Sequence, residues 1–113
     1  MRERHVEVLG ARVFVLEVGA QGQPEVLLLH GASFTARTWS EIGLLGALEG
    51  AHRVCAVDLP GFGGSEASAA APLAWMEALV EALGLSRPVV VSPSMSGRYS
   101  LPWVTSASGR VAG

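Results

Sequence analysis

The stretch Val89-Val90-Val91-Ser92-Pro93-Ser94-Met95-Ser96-Gly97 decides the fold. Three β-branched residues run into a cluster of small ones, and a helical pattern follows. This predicts a buried parallel strand, a very tight turn and then a helix. Ser94 falls at the tip of the turn, with Ser92 two positions before it and Ser96 two after. A serine held at a sharp strand-to-helix turn has its hydroxyl pushed beyond the sheet, where a substrate and a base can reach it. Such a turn strains its central residue by about 1–3 kcal/mol. It also brings two backbones close together, so the flanking positions must be small. The usual pattern is G-x-S-x-G; here serine fills both glycine places. Taken alone, the stretch also reads as a plain serine-rich loop.

Upstream, two more apolar runs end in distinctive turns. Residues 25–29, Glu-Val-Leu-Leu-Leu, suit a strand covered on both faces, and they lead into His30-Gly31-Ala32-Ser33-Phe34. Residues 53–59 form a second buried strand, leading into Asp58-Leu59-Pro60-Gly61-Phe62-Gly63-Gly64-Ser65. Between them, Trp39, Ile42, Leu45 and Leu48 recur at helical spacing, which predicts one helix over 38–48 with Gly50 as its stop. After an Ala/Ser linker over 66–72, Leu73, Met76, Leu79, Val80 and Leu83 predict an amphipathic helix closed by Gly84. The elbow strand over 89–92 follows, then a helix over 95–105 that Pro102 shortens or kinks. At the start of the chain, alternation over 5–9 and 12–18 predicts an antiparallel hairpin. The order hairpin, strand, helix, strand, helix, strand, helix means an α/β architecture: a hairpin, then parallel strands with helices on both faces.

The chain has 113 residues, half of them hydrophobic, and a formal net charge of −2. That suffices for one small domain with a real core. The charge is neither large nor blocky, which argues against nucleic acid or an anionic membrane as partner. No apolar run approaches the roughly 18 residues needed to span a bilayer. The lone Cys55 sits within a predicted buried strand and reads as a small apolar residue. No metal is expected. These features together suggest a soluble protein of the cytoplasm, with the nucleus as a further compartment.

The three turns in this order resemble the α/β-hydrolases of the AB hydrolase-1 type. The elbow variant Ser-Pro-Ser-Met-Ser-Gly, continuing Arg98-Tyr99-Ser100-Leu101-Pro102-Trp103, is similar to the alpha/beta hydrolase domain-containing protein 14 group, closer to its soluble B form. The resemblance implies Ser94 as nucleophile, with the backbone N–H groups of Met95 and Ala32 as oxyanion donors. A serine rather than an aspartate at the elbow argues for acyl transfer through an ester intermediate, and against epoxide or haloalkane chemistry. The resemblance further implies small acyl esters or acyl-lysine as substrates. It implies coenzyme A as a candidate acyl acceptor, with no cofactor required.

Other polar residues read as structural. Asp58 ends a strand before a Pro-Gly turn, where a carboxylate ties down backbone N–H groups. His30 shapes the oxyanion loop rather than serving as the base. His52 precedes a strand, at the wrong end of the sheet, and His5 lies on an exposed strand.

A serine nucleophile needs a histidine oriented by an acid, and in α/β-hydrolases both follow the serine in sequence. After Ser94 the sequence contains no Asp, Glu or His. A βα unit takes about 30 residues or more, so the rest of such a sheet cannot fit. Residues 1–113 therefore read as the N-terminal part of an α/β-hydrolase domain. Two functions stay open: a serine acyl hydrolase whose acid and histidine lie elsewhere, or an inactive fragment with at most a binding role. The unpaired edge of the elbow strand would then favour self-association.

Overall fold

A computed structural model describes residues 1–106 and 112, with Ser94 placed by its backbone alone. Strands β1 (Arg2–Val8) and β2 (Ala11–Val18) form the antiparallel hairpin. Its two-residue turn, Leu9-Gly10, has positive φ at both positions, 50° and 83°. That is the primed geometry that matches the twist of the flanking strands. Strands β3 (Glu25–Leu28), β4 (Arg53–Val57) and β5 (Val89–Val91) are parallel, with β3 in the middle. β2 joins β4 antiparallel, giving one sheet ordered β1-β2-β4-β3-β5.

The period of two along the strands divides the core. Val13, Val15, Leu27, Cys55 and Val57 face α3 (Pro72–Leu83) and α4 (Gly97–Ser106). Phe14, Leu16, Val26, Leu28, Val54 and Ala56 face the opposite way, toward α1 (Ala36–Glu41) and α2 (Leu44–Leu48). Runs apolar at every position are what a doubly covered strand requires. Trp75 and Trp103 are fully buried on the first face, where the Tyr99 ring packs 5.0 Å from Trp75 and joins α4 to α3. α3 starts with Pro72, whose missing N–H costs nothing there, and ends at Gly84 with φ 70°. The Leu85 N–H returns to the Val80 carbonyl and closes a Schellman cap.

Several elements differ from the sequence-based expectations. The helix expected over 38–48 is two short helices, broken at Gly43, where φ is 84°. The break rotates the stripe, so Ile42 is 65% exposed rather than core. The elbow strand is three residues long, Val89–Val91, rather than the expected four over 89–92. Val89 is exposed and Val90 and Val91 are half-buried, so the strand is not the buried one that three valines suggest. A 3₁₀ turn over Ser94–Ser96 precedes α4, and α4 continues past Pro102 to Ser106 instead of being shortened by it.

The edge of β5 away from β3 has a defined chemistry. Leu29 N–H bonds to Val91 O, so Val89 and Val91 direct their backbone groups at β3. The alternate groups, Pro88 O, Val90 N–H and C=O, and Ser92 N–H, point outward. The Ala112 N–H already occupies Pro88 O at 3.0 Å.

At the opposite end of the sheet, Glu17 and Arg53 form a buried ion pair across β2 and β4, at 3.0 Å. Arg4 reaches Glu17 at 2.8 Å. Arg53 also donates to Leu83 O and Gly84 O, so it completes the C-terminus of α3 as well.

Candidate active site

The strand order creates the site. From β3 the chain crosses to β4 on one side; from β4 it crosses back over β3 to β5 on the other. Right-handed crossovers in opposite directions place the helices on opposite faces, so the loops leaving β3 and β5 diverge. The gap between them, beyond the strand C-termini, is a topological switch point, where open α/β sheets bind ligands.

From β3, the chain turns at Gly31, with the Phe34 N–H bonded to Gly31 O. Ala32 lies within that turn and is exposed. From β5, Ser94 opens the 3₁₀ turn and Met95 follows, half-buried against the α3 and α4 side of the core. The three residues singled out from sequence thus share one end of the sheet, on the two strands flanking the switch point. A cavity of about 190 Å³ lies between the loops, lined by His30, Gly31, Phe34, Thr38, Trp39 and Pro93. Its wall is apolar, suited to a hydrocarbon group rather than a charged one.

His30 is 1% exposed and both its ring nitrogens are engaged. Nε2 accepts the Leu59 N–H at 2.9 Å, so it carries no proton. Nδ1 faces Gly31 O at 2.8 Å, and a carbonyl only accepts, so Nδ1 holds the hydrogen. The ring is neutral and ties the end of β3 to the segment after β4. A base needs a free lone pair, and His30 has none.

Asp58 is equally committed. Oδ1 accepts the Ala36 N–H at the start of α1 at 2.7 Å, and Oδ2 accepts the Gly64 N–H at 2.9 Å. Gly63 lies so close that a Cβ there would collide with the carboxylate. Ser65 donates to Asp58 O at 2.6 Å and accepts the Phe14 N–H at 2.9 Å. The Asp-Leu-Pro-Gly-Phe-Gly-Gly-Ser segment is thus a brace behind the site. His52 lies before β4, at the end of the sheet away from the cavity, and His5 is exposed on β1.

Beneath the elbow is a feature that reading the sequence did not single out. Ser100 donates to Ser92 Oγ at 2.7 Å, Ser92 and Ser96 share a bond of 2.8 Å, and Ser96 donates to Pro93 O at 2.8 Å. The signal was present: serines at 92, 96 and 100 repeat every four residues, one turn of helix apart.

Comparison with known proteins agrees with this geometry. The sequence model of the alpha/beta hydrolase family matches residues 26–112. The human "Putative protein-lysine deacylase ABHD14B" is 41% identical, covering 99% of this chain and 59% of that protein. Zebrafish (Danio rerio) "Protein ABHD14A" is 39% identical over 79% of this chain and 35% of its own length. Among solved structures, a CIB-like hydrolase from Thermoplasma acidophilum superposes with TM-score 0.89 at 27% identity, covering 99% of this chain and 59% of that one. A Vigna radiata epoxide hydrolase mutant superposes at 0.82 with 28% identity, over 97% and 36%. The chain spans about 59% of the length of the ABHD14B relative.

Proposed function

Because this chain belongs to the alpha/beta hydrolase family, we propose that it carries the nucleophile and oxyanion hole of a serine acyl hydrolase. The observation that carries the proposal is the convergence of Ala32 and the Ser94-Met95 turn on one switch-point crevice beside an apolar cavity. Ser94 Oγ attacks an acyl carbonyl, and its proton passes to a base. The carbonyl oxygen becomes an oxyanion that accepts the N–H groups of Met95 and Ala32, each such donor being worth about 2.7–4 kcal/mol. Collapse expels the alcohol or amine and leaves an acyl-serine ester, which water or a second acceptor then cleaves.

An epoxide hydrolase is among the structural neighbours, but serine at the elbow favours acyl over epoxide chemistry. Small acyl esters or acyl-lysine are the proposed substrates, the latter in line with the deacylase name of the ABHD14B relatives. Coenzyme A stays the candidate alternative acceptor, on resemblance alone. The base and its acid are assigned to the part of the ABHD14B relatives' length that this chain does not span. His30 and Asp58 are already bonded, and no His, Asp or Glu follows Ser94 in this sequence.

One experiment tests the assignment. A protein carrying this chain and a downstream segment with the acid and histidine is labelled with a fluorophosphonate, and the adduct is mapped by peptide mass spectrometry. The adduct is expected on Ser94. An adduct on Ser92 or Ser96 overturns the assignment. The 113-residue chain alone should hydrolyse an aryl ester no faster than its Ser94→Ala variant.

A further inference from the structure

We propose that Ser92, Ser96 and Ser100 are positioning residues: a one-way chain of hydroxyls that clamps the elbow and fixes the turn carrying Ser94 and the Met95 N–H. The inference rests on the reading of Ser94 as nucleophile, and it explains why serine stands in both places where an elbow ordinarily has glycine.

The direction of the chain follows from counting protons. Each serine has one hydroxyl hydrogen. Ser96 directs its own to Pro93 O, which can only accept. Ser100 directs its own to Ser92. The hydrogen between Ser92 and Ser96 must therefore come from Ser92. The bonds run from α4, across the mouth of the turn, to the carbonyl of the residue before Ser94. The Ser96 N–H converges on the same carbonyl at 3.2 Å.

Burial makes the clamp effective. Ser96 is 0% exposed and Ser100 4%, so water does not stand in for a lost partner. A hydroxyl left unpaired in such a place carries its full desolvation penalty. Bonds in series also polarise one another, which strengthens each link. Glycines would allow the same close approach of strand and helix but would not pin it. Among the described residues the Ser100 hydroxyl bonds to the elbow at Ser92, so the effect of removing that hydroxyl passes through Ser92.

Amide hydrogen exchange on the 113-residue chain tests the clamp, read at the Ser96 N–H. Ser92→Ala should speed that exchange about tenfold, the loss of one to two net hydrogen bonds. Ser100→Ala should speed it less. The Ser92→Ala/Ser100→Ala double variant should match Ser92→Ala alone. Amides of Val54 and Ala56 in β4 should not change, and Ser100→Thr, which keeps the hydroxyl, should restore slow exchange. Multiplying effects in the double variant, or equal acceleration in β4, overturns the clamp. In the unmodified chain, slowly exchanging hydroxyl protons should give a Ser92–Ser96 cross-peak at low temperature; its absence also overturns it. Fluorophosphonate labelling of the longer protein separates the two readings. Failure to label Ser94 while the exchange pattern holds removes the nucleophile assignment and leaves the clamp.

Discussion

Glu17 is 6% exposed, and burial by itself would push its carboxyl above the ordinary carboxylate range. The Arg53 and Arg4 guanidiniums outweigh that and hold it below the usual value of 4.5. The sign of the pH dependence follows. A depressed folded-state value means the network's contribution is fully present above about pH 4.5 and is lost as pH falls through the folded value. Glu17→Gln should cost about 3 kcal/mol at neutral pH, because it leaves Arg53 buried without its anion. It should also flatten the acid side of the stability curve, as read by urea melts between pH 3 and 7. An unchanged acid limb would show that Glu17 is not the group responsible. Cys55 answers to the same surroundings. It is fully buried, and desolvation, with Glu17 next in weight, pushes its thiol up to about 12. Thiolate is the reactive form. An aromatic disulfide reagent at pH 8 should therefore leave Cys55 untouched until denaturant opens the sheet; rapid labelling of the native chain would contradict this burial.

Among the elements, the first hairpin carries a visible defect. Leu9 adopts φ 50° and is 58% exposed, a hydrophobic residue in a left-handed position that favours Asn or Gly. Leu9→Asn should raise stability by about 0.5–1 kcal/mol, measurable as a higher melting temperature. A lower one would mean that the Leu9 side chain contributes more than its backbone costs. The same hairpin shows what was legible in the sequence. Alternation placed β1 and β2, unbroken apolar runs placed β3 and β4, and Gly84 stopped α3, because in each case local pattern and tertiary role coincide. The break at Gly43 was not legible. Trp39, Ile42, Leu45 and Leu48 keep helical spacing through it, and only the positive φ at Gly43 reveals that the axis changes. The unpaired edge of β5 was expected from the sequence, but its exposure was hidden for a different reason. Three valines report a preference for strand, whereas burial depends on what lies on either side. At the site, turn chemistry singled out Ser94, the family resemblance added Met95 and Ala32, and all three lie at the same end of the sheet. Ser100 was overlooked because its meaning lies in a contact eight residues away.

For the whole molecule, the outward row of β5 sets how it behaves at high concentration. Val90 directs an N–H and a C=O away from β3, and no charged residue lies within the strand. Such an edge invites a second strand. Size-exclusion chromatography of the 113-residue chain should show association that increases with concentration. Val90→Pro should suppress it, since that substitution removes an outward N–H and leaves the β3–β5 ladder its own bonds. Association unaffected by Val90→Pro would place the contact elsewhere.

The strand order has one more consequence, in time rather than space. Val26 pairs with Val89, sixty-three positions later in the chain. At about 5–20 residues per second, a ribosome takes roughly 3–13 s to cover that distance. Throughout that interval β3 has a partner on its β4 side at most, and the apolar Leu27-Leu28 stretch stands open on the other. Whatever guards a nascent chain must guard this flank. The crevice between Ala32 and Ser94 does not exist until β5 docks, so it forms only after the β3–β4 pair is already in place.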